Sequence, residues 1–400
     1  MLTRRELLKH SALLSLAPCV PAFLSRTVHA AERDREGRVL VVIQLDGGND
    51  GLNTVIPFRD ENYARLRPKL ALKDDRRIKI TDDVALHASL KPVAALFEDK
   101  SLAIVQGVGY PNPNRSHFRS MAIWQSSRLE DAEHGQYGWL GRTLDKRATA
   151  ESSPDAVYAG TGAVPVALWG RRSVTAAISS LNDLSLSVPP DILRSAMAET
   201  ADAGELARLV ARASDDAFTT AQRLTAVTQA PKSGATGYGD SRLAEQLRIV
   251  SALLKSGSPT RVFYTSQSGY DTHAVQANEH SQLLRTLSGA LKGFLNDLSE
   301  SGLADRVLVL AFSEFGRRVA ENDSAGTDHG AAGPVFLAGN CLAGGVIGST
   351  PNLADLVDGD VRTTVDFRQV YATILEEWLD VRAAEVLGGV FAPLPLFKSA

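Results

Sequence analysis

An apolar, β-branched run that ends in an acid and a glycine-rich turn most constrains how this chain can fold. Residues 41–45 are followed at once by the sequence Asp-Gly-Gly-Asn-Asp-Gly at 46–51. An apolar run of this length, bounded by turn residues, predicts a buried strand of a parallel sheet. Because ligands of open α/β sheets bind beyond the carboxyl ends of the strands, Asp46 is a candidate site residue. The alternative for an isolated Asp-Gly pair is a solvated turn acid.

Length and composition limit the kind of protein that this chain encodes. The chain has 400 residues, of which 44% are hydrophobic and 22% are charged, with a formal net charge of -3. These values are typical of a globular protein with one large α/β domain or two smaller ones. A sequence pI of about 6.3 gives no electrostatic basis for binding nucleic acid. The body of the chain has no apolar run long enough to span a bilayer, so we expect no stable membrane span.

Residues 1–30 have the three parts of an export signal. A charged start that contains Arg4 and Arg5 is followed by an apolar segment at 12–24 and a small-residue end at 28–31. This order predicts an export signal, and the arginine pair is typical of the twin-arginine type. We therefore expect cleavage at the end of this segment, transport by the twin-arginine export machinery, and a periplasmic or secreted protein. The alternative is an amphipathic helix with chance arginines.

Strand-like and helix-like segments alternate along the rest of the chain. Residues 86–99 have apolar residues at helical spacing and lie between the strand-like runs 41–45 and 102–105, which predicts a β–α–β unit with parallel strands. The alternation continues with strand-like runs at 163–169, 261–265, 306–312 and 334–337, and helix-like segments at 115–124, 277–298 and 365–380. The expected fold class is α/β, with a central, mostly parallel sheet and helices on both faces.

The middle of the chain contains few residues that suggest chemistry. The composition of residues 148–255 is rich in alanine, leucine and charged residues, which predicts helices. We expect this segment to form a helical cover or insertion. Residues 31–400 would then form a single α/β domain that contains it.

Serine, acidic and histidine residues follow the predicted strands or begin the next helix. Because parallel strands end at the same edge of a sheet, these residues are expected to meet in one crevice although they lie far apart in sequence. They are Asp46, Ser116, Asp271, His273, Glu314, Asp328 and His329. Carboxylates and imidazoles without cysteine suit zinc, manganese or magnesium. Two such ions can support an in-line displacement at phosphorus or sulfur.

Each candidate also has a simpler explanation. Ser116 begins a predicted helix and is either a plain N-cap or a nucleophile that an adjacent metal ion activates. The same helix start offers backbone N–H groups and a dipole that favour an anion. Glu314 could pair with Arg317 or Arg318, and His273 could be a surface residue.

Several segments together resemble domain-of-unknown-function family 1501. They lie at residues 45–53, 107–124, 269–273, 313–317 and 326–330. The resemblance extends from about residue 41 to residue 379. The family is commonly exported with twin-arginine leaders and looks like a branch of the alkaline phosphatase and sulfatase superfamily. The resemblance therefore implies an alkaline-phosphatase-like α/β core.

The resemblance also implies roles for individual residues. Asp46 matches the metal-binding aspartate that follows the first strand of the superfamily. Ser116 occupies the position of its nucleophile at a helix start. Asp271 and His273 resemble a later aspartate–histidine ligand pair, which is usually spaced more widely.

Two registers are possible for the remaining ligands. Asp328 and His329, with the glycine after them, look like the Asp-His-Gly motif of the superfamily, but that motif normally ends a strand directly. Here Glu314 ends the strand, so we assign Glu314 to the aspartate role and His329 to the last histidine ligand. One metal site would then be complete with the aspartate–histidine pair. The second would lack its histidine unless His117 replaces it.

The resulting hypothesis is an exported, metal-dependent hydrolase or transferase that acts on phosphate or sulfate esters. One or two divalent ions (zinc, manganese, magnesium or calcium) are expected, with Arg115 or Arg119 holding the anion. The substrate would be a small anionic ester or a polysaccharide. The alternative is a catalytically inactive, sulfatase-like binding or assembly protein of the cell envelope.

Overall fold

The computed structural model describes residues 37–130, 137–146, 155–181 and 237–398. The export signal predicted at 1–30 lies outside these described residues, and so do residues 182–236 of the predicted insertion. Within the described ranges, no helix is both long enough and apolar enough to cross a membrane.

Strands and helices alternate along the described ranges. The strands are β1 (Val39–Asp46), β2 (Val55–Ile56), β3 (Arg77–Lys79), β4 (Ala85–His87), β5 (Leu102–Gly109), β6 (Ala156–Ala159), β7 (Thr175–Ile178), β8 (Val262–Ser268), β9 (Val307–Ser313), β10 (Gly333–Ala338), β11 (Gly345–Ile347), β12 (Leu356–Val357), β13 (Asp360–Val361) and β14 (Val365–Asp366). The helices are α1 (Gly51–Thr54), α2 (Glu61–Leu66), α3 (Lys91–Glu98), α4 (His117–Ser126), α5 (Trp139–Asp145), α6 (Arg242–Lys255), α7 (Gln276–Glu300), α8 (Phe367–Thr373), which a π-helical segment (Ile374–Trp378) continues, and α9 (Ala383–Leu387).

Among the described residues, the central sheet has nine strands. Eight follow the order β11-β5-β10-β9-β1-β8-β6-β7, and β14 pairs with β5. Neighbouring strands are parallel except in the two pairs that contain β10. The predicted mostly parallel α/β sheet is therefore confirmed. Because β10 runs antiparallel to β9, the loop between them begins and ends at the edge where the parallel strands have their carboxyl ends.

The first strand is buried on both faces, as its sequence predicts. Val39, Val41 and Ile43 pack in one core with α3, α6 and α7, whereas Leu40 and Val42 pack in a second core with α4, α5 and α8. None of the five side chains is more than 1% exposed. Burying each stabilises the fold by about 1.5–3 kcal/mol. Helices cover both faces because this strand has no polar face.

Two strands lie within the segment for which we predicted a helical cover. The prediction of a strand at 163–169 is wrong, because this segment contains a 3-10 turn at Val166–Leu168. Pro165 at its start has no N–H for a strand ladder and favours a turn. The strands of this region are β6 and β7, on either side of the turn, and both extend the central sheet. The described part of the predicted cover is thus two strands, short turns and helix α6.

A fully buried ion pair lies behind the turn that follows β1. Arg67 Nη1 is 2.6 Å from Asp50 Oδ2, and both side chains are 0% exposed. Arg67 also donates hydrogen bonds to the carbonyl oxygens of Arg318 and Val319, each at 2.8 Å. The pair therefore joins the turn after β1 to the loop after β9. Removing one partner of such a pair would leave a buried charge without compensation.

Two histidines form a buried pair beside this turn. The ring centroids of His87 and His280 are 6.2 Å apart, and each residue is 2% exposed. His280 Nε2 lies 3.0 Å from Asn49 Oδ1. Burial disfavours the charged imidazole and lowers the pKa of each histidine to about 4. Both histidines are therefore neutral in the folded protein at neutral pH.

We predict that the folded protein loses stability as the pH falls from about 6.5 to about 4. In this window the unfolded chain protonates its histidines, whereas folded His87 and His280 stay neutral until the pH reaches about 4. Because the unfolded state then binds more protons, the free energy of unfolding falls by on the order of 3 kcal/mol for each histidine. Urea denaturation of wild type and His280→Gln at about pH 7 and about pH 4.5 measures this loss. The variant should lose less stability than wild type, and an equal loss would contradict the prediction.

Candidate metal centre

Loops at the carboxyl edge of the sheet bring one acid and three histidines together. Asp271 and His273 follow β8, His329 lies between β9 and β10, and His117 is the first residue of α4, which follows β5. Asp271 Oδ1 is 3.0 Å from Nε2 of both His273 and His329. It is 3.4 Å from Nε2 of His117. The structure thus joins three residues that we predicted from the sequence, and it brings His117, which we had considered only as the histidine of a second metal site, into the same group.

Each of the three imidazoles presents the same nitrogen to this group. The other nitrogen, Nδ1, faces an oxygen acceptor: Glu314 Oε1 at 2.7 Å for His117, the Arg115 carbonyl at 2.8 Å for His329, and Asp328 Oδ1 at 3.3 Å for His273. Carbonyl and ionised carboxylate oxygens only accept hydrogen bonds, so Nδ1 carries the proton in each ring. A neutral ring in this orientation presents the lone pair of its Nε2 atom to Asp271 and to the other rings.

The short distance between two of these nitrogens indicates a site for a positive charge. The Nε2 atoms of His273 and His329 are 2.9 Å apart, so two neutral imidazoles would direct lone pairs at each other. A proton or a metal ion between them relieves this repulsion. His117 Nε2 is buried and has no hydrogen-bond partner among the described residues. A buried polar atom of this kind needs an explanation, and a metal ligand provides one.

The donor set fits a transition metal ion better than magnesium or calcium. Imidazole nitrogens suit zinc and its neighbours, whereas magnesium and calcium prefer oxygen. Zinc bonds of about 2.0–2.1 Å in a tetrahedron separate neighbouring ligand atoms by about 3.4 Å. Ligand atoms of His117, Asp271 and His329 all lie within 4.8 Å of one another. These three residues are therefore a candidate His/Asp metal site, and His273 lies next to them.

Glu314, which we predicted as a metal ligand, lies behind His117. Its Oε1 accepts hydrogen bonds from the Gly47 amide at 2.9 Å and from His117 Nδ1, and its Oε2 accepts one from the Ser313 hydroxyl at 2.9 Å. Both oxygens therefore contact protein groups, and the geometry favours an orienting role over direct ligation. The hydrogen bond between Glu314 and His117 raises the pKa of His117.

Asp46, also predicted as a metal ligand, is held by neighbouring side chains. Gln44 donates to Oδ1, and the Ser268 hydroxyl donates to Oδ2 at 3.1 Å. Burial raises the pKa of Asp46. The structure places Asp46 at the predicted end of β1 but does not place it among the ligand atoms around Asp271.

Asp328, the third acid that we considered as a metal ligand, lies behind His273. Its Oδ1 faces His273 Nδ1 and accepts a hydrogen bond from Asn322 Nδ2 at 3.1 Å. The bond from Asn322 is the largest cause that lowers the pKa of Asp328. Asp328 thus has the position of a residue that orients a ligand, as Glu314 does for His117.

A buried arginine that we considered only as an ion-pair partner holds the loops of this site together. The side chain of Arg317 is 0% exposed. It donates to the carbonyl oxygens of Gly47, Gly48 (2.7 Å), Tyr270 (3.0 Å) and Thr327 (2.7 Å), and to Asp271 Oδ1 (2.7 Å). These partners belong to the loops that follow β1, β8 and β9. No local pattern signals this role, because the partners are spread over the whole chain.

Arg317 also fixes the charge of Asp271. Burial alone would raise the pKa of this carboxyl, but the hydrogen bond and the positive charge of Arg317 outweigh it, and the pKa is lowered to about 2. Asp271 is therefore an anion over the whole physiological pH range, and it attracts a cation to the imidazoles around it.

Ser116 occupies the N-cap position of α4, but its hydroxyl makes no capping hydrogen bond. Its amide donates to Asn114 Oδ1 at 2.8 Å. The residues on either side are tied to the histidine group, because the Arg115 carbonyl binds His329 and because His117 is a member. The exposed Ser116 side chain therefore lies at the rim of this group.

The two arginines that we predicted to hold an anion have different partners. Arg115 Nη2 is 2.5 Å from Asp360 Oδ2, whereas Arg119 Nη2 donates to the Leu129 carbonyl at 3.0 Å. Of the two arginines, Arg115 contacts the histidine group, because its carbonyl oxygen is 2.8 Å from His329 Nδ1. We did not predict Asp360 as a site residue, although the Asp-Gly turn immediately before it was a signal that could have located it.

Most of the chain matches one protein family. Residues 37–384 match the family model described as "Protein of unknown function (DUF1501)". No curated protein matches the chain. Among solved structures, the chain is similar to the C-terminal periplasmic domain of EcEptC from Escherichia coli in complex with Zn, with 9% identity, a TM-score of 0.38, and coverage of 77% of this chain and 75% of that chain.

The chain is also similar to PsFucS1 sulfatase from Pseudoalteromonas sp., with 10% identity, a TM-score of 0.40, and coverage of 92% of this chain and 71% of that chain. The family match includes the central sheet and every loop that contributes to the candidate metal centre. This chain belongs to the DUF1501 family.

Proposed function

We propose that this protein is a metal-dependent hydrolase or transferase that acts on phosphate or sulfate esters. The observation that supports the proposal most is the convergence of three Nε2 atoms on Asp271 Oδ1, while each Nδ1 is bound by an oxygen. Such contacts orient histidines in metal sites. Without a cation, His273 and His329 would face each other across 2.9 Å with opposed lone pairs.

One zinc ion is the occupant that the donor set favours. His117, His273, His329 and Asp271 would hold it. When bound, such an ion acts as a Lewis acid on an ester oxygen and favours the deprotonated form of a nearby hydroxyl. We propose one ion rather than two because Asp271 is the acid that faces the three Nε2 atoms, whereas both oxygens of Asp46 and of Glu314 contact other protein groups.

Ser116 is the proposed nucleophile. Its hydroxyl is not engaged in capping, and it begins a helix of 10 residues. The N–H groups and dipole of a helix start stabilise negative charge on an incoming anion. Ser116 Oγ would lose its proton to solvent and form the new bond to phosphorus or sulfur, and the ester oxygen would leave with the bonding electrons and take up a proton. Water in a hydrolase, or an acceptor hydroxyl in a transferase, would then displace the serine oxygen and restore the hydroxyl. The exposed position is compatible with a small ester and with an ester group on a polysaccharide.

We further propose that residues 1–30 are a twin-arginine export signal and that residues 31–400 form a single domain that acts in the periplasm or outside the cell. The order of charged, apolar and small residues in the leader supports this proposal. Mass spectrometry of the protein from a periplasmic fraction tests it, because the chain should begin near Ala31.

The first prediction from this function is that the protein binds one zinc ion per chain. His329→Asn removes a ligand and should lower zinc affinity by about 10³-fold, whereas Glu314→Gln removes only an orienting contact and should lower it by about 10–100-fold. Competition with a chromophoric chelator measures both values. Equal affinity in wild type and His329→Asn would contradict the proposed centre.

The second prediction is that Ser116→Ala abolishes turnover but keeps the metal. Turnover of p-nitrophenyl phosphate or p-nitrophenyl sulfate should fall by about 10³-fold or more, while zinc affinity stays at the wild-type value. Ser324→Ala, an exposed serine on another loop, is the matched control and should keep full activity. A zinc-loaded wild type that turns over neither ester would support the alternative of an inactive binding protein.

A further inference from the structure

A two-residue hairpin places one buried acid against Arg115. Strands β12 and β13 pair with Val357 opposite Asp360, and the turn residues between them, Asp358 and Gly359, have φ values of 53° and 83°. Positive φ at both central positions is the mark of a type I′ turn, for which Asp-Gly is a favoured sequence. Because a two-residue turn sets the strand register, this local sequence fixes the position of Asp360.

Asp360 binds Arg115 through only one of its two oxygens. Oδ2 accepts from Arg115 Nε at 3.0 Å and from Nη2 at 2.5 Å. Asp360 is 1% exposed, and its Oδ1 is buried with no hydrogen-bond partner in the part of the chain that the structure describes. An unpaired buried carboxylate oxygen is costly. A pair that served stability alone would be better formed with both oxygens, so this geometry calls for another explanation.

Arg115 connects this hairpin to the metal centre. Its carbonyl oxygen is 2.8 Å from His329 Nδ1, and Ser116 is the next residue. Its side chain is 38% exposed, so an anion in solvent can reach it. A guanidinium has five N–H donors, and Asp360 uses the Nε and Nη2 side.

We propose that Asp360 is a positioning residue that holds the Arg115 guanidinium in place to bind a tetrahedral oxyanion, the phosphate or sulfate group, at the metal centre. This inference rests on the proposed function and selects Arg115 over Arg119 as the anion-binding residue. An arginine that is already held in place loses less side-chain entropy when it binds. Charge alone would have the opposite effect, because removing the Asp360 carboxylate would make the arginine more attractive to an anion. The sign of the effect therefore distinguishes orientation from charge.

Titration calorimetry of inorganic phosphate and of inorganic sulfate into the zinc-loaded protein tests the proposal. Asp360→Asn should weaken binding of the preferred anion by about tenfold and raise KM for the matching p-nitrophenyl ester by a similar factor, with kcat changed by less than about twofold. Arg115→Gln should weaken binding at least as much. Zinc affinity should stay unchanged in both variants, which shows that the centre is intact.

The double variant and a matched control make the result specific. In the Arg115→Gln background, Asp360→Asn should have no further effect on anion affinity, because both substitutions act through one guanidinium. Asp355→Asn breaks an exposed pair with Arg362 at 2.7 Å near the same hairpin and should leave anion affinity unchanged.

Several results would overturn the proposal. Unchanged or tighter anion binding in Asp360→Asn would do so, and so would an effect of this substitution that persists in the Arg115→Gln background. A protein that binds phosphate or sulfate in the predicted way but turns over no ester would keep this inference and overturn the proposed activity. An active enzyme with a KM that does not respond to Asp360→Asn would keep the proposed activity and overturn this inference.

Discussion

The buried guanidinium of Arg317 is the group on which the geometry of the centre depends. It binds carbonyl oxygens of the loops after β1, β8 and β9, and it binds the Asp271 carboxylate. These loops leave the sheet at separate strands, so no local turn can fix one relative to another. A planar group with donors in fixed directions can do so. Arg67 has a similar role behind the turn after β1, because its buried guanidinium binds the Asp50 carboxylate and the carbonyl oxygen of Val319. Both cations are buried, and several oxygen partners offset the loss of their hydration.

The acids of the site divide according to what they face. Only Asp271 turns an oxygen toward the three Nε2 atoms. Glu314 and Asp328 do not face the Nε2 atoms, and each contacts the Nδ1 atom of a histidine instead. Asp360 contacts none of the histidines directly and binds the Arg115 side chain. This layered order keeps the negative charge at the centre low and fixes the direction of every imidazole, which is the requirement for binding a metal ion without reorganisation.

The sheet and three of the four proposed ligands could be predicted from the sequence because each depends on a local pattern. An apolar run followed by glycines predicts β1, and the common edge of parallel strands brings Asp271, His273 and His329 together. The role of Glu314 could not be predicted in this way, because an acid after a strand has the same pattern whether its oxygens face an ion or bind protein donors. Its donors come from separate loops. Strands β6 and β7 were missed because they are only four residues long and lie on either side of a more apolar turn.

The central claim is that three imidazoles and one carboxylate hold a single metal ion, and X-ray absorption spectroscopy at the zinc edge tests it most directly. The zinc-loaded protein should give a first shell of nitrogen and oxygen atoms at about 2.0–2.1 Å, with the outer-shell scattering of three imidazole rings. A shell of oxygen ligands alone, or scattering from fewer than three imidazoles, would contradict the account.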